Sequence, residues 1–379
     1  MDRLDYVKRL PVEIWIECFL FLRLKDHLML TRTCHWFYDI CIAFVFNKIN
    51  YISNIEFKKK HAQDEVAIQL GKLENHIEHF ASIAANPKLA PLVRECHLFY
   101  ACHVYVQGDV AIAQAAKDAY TPFINGFFDS VTNFVNLRSI QIEFDKKMDK
   151  KLLTTFQTSL PYLEDATFRC VRFGAHRLRQ RFTLRNLVID NMWSADVDAN
   201  PSTKSLDLFS AERLEKLSIW SYNYAPKLFR AFTAQGISKS LTTLNFQLRG
   251  EDIPVLYGFL ETCPYLLSLQ VQYLGYDGTP LPSLPRSAIP RLRNFKGTDI
   301  AARTFIPGRP VVSAFLTSNG RRTNFQDTQC TVTAIGESIG PLTDLSMRWL
   351  EESPETMDLI STHLSSLKKL TSRKVVQEF

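Results

Sequence analysis

The sequence predicts an α/β protein in two parts: three short helices at the N-terminus, then a solenoid of strand-and-helix repeats. Three observations predict it. The first forty-odd residues place apolar side chains at helical spacing, with very short connections between the runs. From Leu137 onward the pattern Leu-x-x-Leu-x-aliphatic recurs with a period near 25 residues. The chain has 379 residues, 46% of them apolar, which is enough for one small module and one large domain with a sizeable core.

The first helix opens at Leu10-Pro11 and runs to Leu22. Proline suits the first helical position, and Glu13 lies in the first turn, near the positive end of the helix. Glu13 and Glu17 form its only charged stripe. Ile14, Cys18, Phe21 and Leu22 share one face, and Trp15, Phe19 and Leu22 another. A second helix starts at Lys25-Asp26-His27 and carries Leu28, Met29 and Leu30. A third runs from Thr33 to Phe44, with Trp36, Phe37, Ile40, Cys41 and Phe44 at helical spacing. Helices apolar on nearly every side must be covered on several faces. Units this small have too little interior to do so alone, so the module asks for a partner.

Residues 8–46 resemble the F-box. The family pattern is Leu-Pro, an acidic residue two on, an aliphatic helix ending in Leu, a turn with Leu, and a Val-Cys-x-x-Trp element. Here it reads Leu10-Pro11, Glu13, Ile14 to Leu22, Asp26-His27-Leu28 and Thr33-Cys34-His35-Trp36-Phe37. The sequence departs at Thr33, where the family prefers Val, and at Phe37, where it prefers Trp, and Trp36 is an extra aromatic. The resemblance implies docking on a Skp-family adaptor through Leu10, Pro11, Ile14, Phe19, Leu22 and Leu28.

The repeats read Leu137-Ile140-Ile142, Leu163-Ala166-Phe168, Leu184-Leu187-Ile189, Leu214-Leu217-Ile219, Leu241-Leu244-Phe246, Leu266-Leu269-Val271, Leu292-Phe295 and Leu342-Leu345-Met347, with a last copy at Leu367-Leu370. One step is twice the period, and the apolar run Val311 to Leu316 fills it as a degenerate repeat. Helix-like stretches lie between the strands at 150–160, 225–234 and 253–263. Pro161 and Pro264 end two of them just before the next strand. One unit cannot bury its apolar face, whereas stacked units bury a continuous core. The pattern resembles an irregular leucine-rich-repeat solenoid, here spanning 91–379. The Asn or Cys common at the strand end in that family is replaced by Asp145, Met192, Tyr222, Arg249 and Leu274. A parallel α/β sheet of another kind is the rival reading.

Residues 47–90 read as a helical linker, with an amphipathic helix over 64–85. A first strand is expected at 91–99, and a further helix over 109–133. The last repeat, starting near Leu364, is expected to be incomplete and frayed. Ile306-Pro307-Gly308-Arg309-Pro310-Val311 resembles a segment of fungal F-box domain-containing proteins with degenerate repeats.

Net charge is +6, with the charges interspersed, so nucleic acid is not the expected partner. Lys58-Lys59-Lys60 reads either as a solvated link or as a nuclear-import signal. The eight cysteines show no framework spacing, which fits free thiols in a reducing compartment. No signal peptide opens the sequence, and no apolar run reaches the length of about twenty residues that a membrane helix needs. A soluble cytoplasmic or nuclear protein is expected, with no membrane partner.

Catalytic motifs are missing: no Gly-rich phosphate loop and no nucleophile elbow. Two dyads, Cys96-His97 and Cys102-His103, invite a metal reading, but strand alternation turns Cys96 inward and His97 outward. His76 and His79 share a helix face without a third ligand. Neither a metal nor any other cofactor is expected. Pro282-Ser283-Leu284-Pro285-Arg286 matches a Pro-x-x-Pro-Arg ligand and equally an inter-repeat loop.

Alternation places a polar row on the face of the strands away from the core. The residues expected there to bind a target are Arg169, Asp190, Trp220, Asn245, Gln247 and Gln270. Exposed aromatics are common binding anchors, so Trp220 stands out, although it could instead pack on Tyr222 or a neighbouring repeat. Together, the resemblances imply a non-catalytic substrate-recognition subunit of an SCF-type cullin–RING ubiquitin ligase, with a Skp-family adaptor, a cullin–RING core and an unknown target protein as partners. The alternative is a repeat-based scaffold whose N-terminal helices are a structural cap.

Overall fold

The computed structural model describes residues 10–57, 62–104, 110–144, 147–148, 150–173, 180–191, 206–274, 282–317, 325–347 and 353–372. The chain divides into two compact units, residues 1–144 with 151–163, and residues 145–150 with 164–379.

The first unit opens with three helices, α1 (Val12–Phe19), α2 (Leu24–Leu30) and α3 (His35–Phe46). A strand, β1 (Lys48–Phe57), leads to α4 (Ala62–Ala85), then β2 (Glu95–Val104), α5 (Val110–Val131), β3 (Ser139–Glu143) and α6 (Lys150–Ser159). The three strands pair in chain order and in parallel, Lys48 opposite Glu95 and Glu95 opposite Ser139. β1 corrects the sequence reading, which placed the first strand at 91–99 and a wholly helical linker before it. Ile49 and Tyr51 alternate inward between Lys48, Asn50 and Ile52. Asn50 and Asn54 are poor strand formers, so local propensity hides this strand and tertiary pairing makes it. Tyr51 is its anchor. Its ring lies 4.5 Å from Phe80 of α4 and 4.2 Å from Phe123 of α5, and its hydroxyl donates to the Phe123 carbonyl at 3.1 Å.

The second unit is built by repetition. Its strands are β5 (Asp165–Arg169), β7 (Asn186–Asp190), β8 (Lys216–Trp220), β9 (Thr243–Arg249), β10 (Ser268–Leu274), β11 (Asn294–Thr298), β12 (Ser313–Thr317), β13 (Asp344–Met347) and β14 (Lys369–Ser372). Each is parallel to the next. Two short strands, β4 (Lys147–Met148) and β6 (Arg172–Phe173), pair separately. Between the main strands lie α7 (Ala225–Gln235), α8 (Ile253–Glu261), α9 (Asp299–Phe305), α10 (Phe325–Gly336) and α11 (Pro354–His363). Proline stands in the first turn of α7, α8 and α11, where its missing N–H costs nothing. Thr298 caps α9 by accepting from the Ala301 amide, and Ser353 caps α11 by accepting from Thr356.

Most strands bury alternate residues, whereas β14 buries none. Leu217 and Ile219, Leu244 and Phe246, Leu269 and Val271, and Leu345 and Met347 line the interior. A recurring hydrogen-bond device joins the repeats: two successive amides donate to one carbonyl of the preceding repeat. Thr242 and Thr243 share the Glu215 carbonyl, Leu267 and Ser268 share Thr242, and Val312 and Ser313 share Arg293. Because Val312 and Ser313 use the same device, the expected degenerate repeat at 311–316 is a full structural repeat. Among the described residues, no helix is long and apolar enough to cross a membrane.

Candidate functional site

Two surfaces carry the residues singled out by the sequence, one in each unit.

In the first unit, α1 to α3 close around an aromatic interior. Phe19 is 4% exposed and sits 5.7 Å from both Trp15 and Phe37. Trp15 also meets Trp36 and Phe37 edge-on at 5.7 and 5.4 Å. His27 stacks on Phe44 at 4.9 Å. Asp26 ties the start of α2 by accepting from the Arg23 amide and side chain at 3.2 Å, and the amide bond holds its carboxyl below the usual range.

These contacts use one side of the helices and leave the other in solvent. Leu10, Ile14, Leu22 and Leu28 of the expected docking set are exposed, as is Pro11. Phe19 is a correction. Its position on α1 turns it toward α3, so it supports the surface from inside and does not belong to it. The expected docking set left out Phe21, 86% exposed, together with Leu20, Leu24 and Met29. Two large apolar residues at the end of a helix, Leu20-Phe21, were the available signal.

In the second unit, the outward positions of the strands form a polar face. Arg169 is exposed, while Asp190, Trp220, Asn245 and Gln270 are half-buried. Asp190 pairs in register with both Arg169 and Trp220. Asn245 donates to the Ser218 hydroxyl at 2.9 Å, so neighbouring repeats are cross-linked on this face. Tyr222 is taken up by Arg249, whose guanidinium lies 4.2 Å over its ring.

Gln247 is the second correction. It points to the polar face, yet it is only 2% exposed. It stands one step past the Ile219–Phe246 pair, beside Trp220, and opposite Gln272, and these long neighbours take its solvent. Its Oε1 has no hydrogen-bond partner.

Lys296 and Phe315 belong to the same face and were missed. Lys296 pairs with Gln270 and Phe315, and its ammonium lies 5.4 Å over the Phe315 ring. Counting on from Phe295 in the shortened repeat Leu292-Phe295 would have placed Lys296 in this row.

Cys96 is buried, which pushes its thiol up, and His97 lies on the other side of the strand. The side chains of Cys102 and His103, and Lys58 to Lys60, lie outside the described residues. His76 and His79 are exposed on α4. Among the described residues, no group of three His, Cys, Asp or Glu could hold a metal ion. In the Pro-x-x-Pro-Arg segment, Leu284 is buried, and the Leu284 and Pro285 carbonyls accept from Arg309. That segment is committed to the fold.

No protein-family model and no curated protein matches the chain. Among solved structures, the chain is similar to a TLR13–ssRNA13 complex, at 13% identity, over 75% of this chain and 53% of that one, with a TM-score of 0.20. The chain thus spans about half the length of that solved protein. The likeness is too slight to inform the chemistry of either face.

Proposed function

We propose that the chain is the substrate-recognition subunit of an SCF-type cullin–RING ubiquitin ligase. Its N-terminal helices dock a Skp-family adaptor, and its leucine-rich-repeat-like strands hold a target protein. The observation that carries this reading is the exposure of Leu10, Ile14, Leu20, Phe21, Leu22, Leu24, Leu28 and Met29 around a closed aromatic interior. A cluster of large apolar side chains in solvent marks an interaction site. Its residues coincide with the segment that resembles the F-box.

In this role the chain performs no chemistry. It raises the effective concentration of target lysines beside a ubiquitin-loaded conjugating enzyme. The repeats suit that task, because a stack of parallel strands repeats its outward positions at a fixed spacing.

The test is co-expression with a Skp-family adaptor. A stable complex with the full chain, lost when residues 8–46 are deleted, supports the reading. A chain that purifies alone and melts lower after the deletion would make the helices a structural cap and the protein a scaffold.

A further inference from the structure

The charge pattern of the polar strand face defines a partner. On β8 through β12 no Asp or Glu stands at an outward position, from Lys216 on β8 to Thr317 on β12. Two exposed lysines, Lys216 and Lys296, do stand there, and among the described residues neither has an ion-pair partner. Between them lie neutral hydrogen-bonding side chains, Asn245 and Gln270 among them. Trp220 offers a half-buried aromatic surface. Beside it, Gln247 is buried and backs the face from within.

We propose that this face binds an extended acidic segment of a partner protein. A large apolar side chain of the segment rests on Trp220, and a carboxylate pairs with Lys296. This rests on the reading that the polar face holds the target, and it names the target's chemistry.

The charges of the site set which side of the anchor the acidic residue takes. Asp190 stands next to Trp220 in register and disfavours an acidic residue there, whereas Lys296 favours one on the β11 side. The strand spacing sets the motif. Three inter-strand steps of about 4.8 Å, with an offset of two residues along the strands, separate Trp220 from Lys296 by roughly 16 Å. An extended chain advances about 3.3 Å per residue, so the acidic residue lies about five positions from the apolar anchor. Single-stranded RNA, the other anionic polymer, needs a denser run of cations along its phosphates than Lys216, Lys296 and the ion-paired Arg249 provide on five strands.

The test uses the full chain and fluorescein-labelled peptides with one leucine anchor and a glutamate scanned through the positions on either side of it, with oligouridylate as the comparison. Fluorescence anisotropy is expected to select glutamate four to six positions from leucine, about tenfold tighter than the all-neutral peptide. K296E is expected to invert this preference to lysine at the same position, which a merely structural residue would not do. Trp220→Ala is expected to weaken all the peptides alike, with the helix content of the chain unchanged. Equal binding of acidic and neutral peptides, a preference unmoved by K296E, no peptide binding, or tighter binding of oligouridylate would each overturn the proposal. Adaptor co-purification of K296E separates this from the ligase reading: loss of peptide selectivity with the adaptor complex intact affects only the target face.

Discussion

Replacing Arg309 with methionine should destabilise the repeat unit by about 3 kcal/mol. Arg309 is 1% exposed, and its guanidinium is held by backbone carbonyls and not by a carboxylate. It donates to Pro307 and Pro285 at 2.8 Å, to Ala288 at 3.2 Å and to Leu284 at 3.3 Å. Burial lowers its pKa to about 10, a desolvation cost of roughly 3 kcal/mol that the variant recovers. Against that, the two short charge-assisted bonds are worth about 1.5–3 kcal/mol each and the two longer ones about 0.5–1 each, a loss of roughly 4–8 kcal/mol. The balance is a loss of about 1–5 kcal/mol. The carbonyls freed belong to a segment that also carries Ile289 at φ 47, a left-handed conformation costly for a β-branched residue, which adds to the need for a clamp. For a unit of this size, about 3 kcal/mol corresponds to a fall in Tm of roughly 6–12 °C. Circular dichroism melts of the full chain would measure it, with Arg309→Lys as the control, because a single ammonium cannot reach all four carbonyls. A variant as stable as the parent, or full rescue by lysine, would refute the reasoning.

Three further outcomes are expected. Phe19→Ala should empty the aromatic interior of the helical module at a cost of about 3–5 kcal/mol, seen as loss of near-UV aromatic dichroism, whereas Phe21→Ser should leave that signal unchanged. Asp299→Asn should change how stability depends on pH. Burial raises the Asp299 pKa above 3.8, against the Ile300 amide and Arg303, so its ionised form costs stability once the pH exceeds the folded value, and the cost vanishes below 3.8. The variant's advantage in urea melts should therefore shrink as the pH falls through that window, and a constant difference would contradict it. Gly340→Ala should destabilise by about 1–3 kcal/mol, because a Cβ there would lie 2.7 and 2.8 Å from the Pro310 backbone; a Tm equal to the parent's would contradict this.

The repeats were legible because period carries their physics. Leu214-Leu217-Ile219 and its copies must all point inward, so their spacing alone locates the strands, down to the degenerate copy at Val311 to Leu316. The helix stops at Pro161 and Pro264 were legible for a similar local reason. β1 was not, because its asparagines mask the alternation and its pairing with β2 is tertiary. The burial of Phe19 and Gln247 was equally hidden. Periodicity assigns a face, but the neighbours across it decide exposure, as Trp220 and Gln272 do for Gln247. The Arg309 clamp could not be read at all, since its partners are carbonyls contributed by residues up to 25 positions away.

The most direct test of the central claim is the affinity of a purified Skp-family adaptor for the full chain and for Phe21→Asp/Leu28→Asp, measured by titration calorimetry. Both substituted residues are exposed, so the fold should be untouched. The account predicts a tight complex with the parent and at least a hundredfold loss, about 2.7 kcal/mol, in the variant, with the melting curve unchanged. Equal binding by parent and variant, or no binding by the parent, would contradict it.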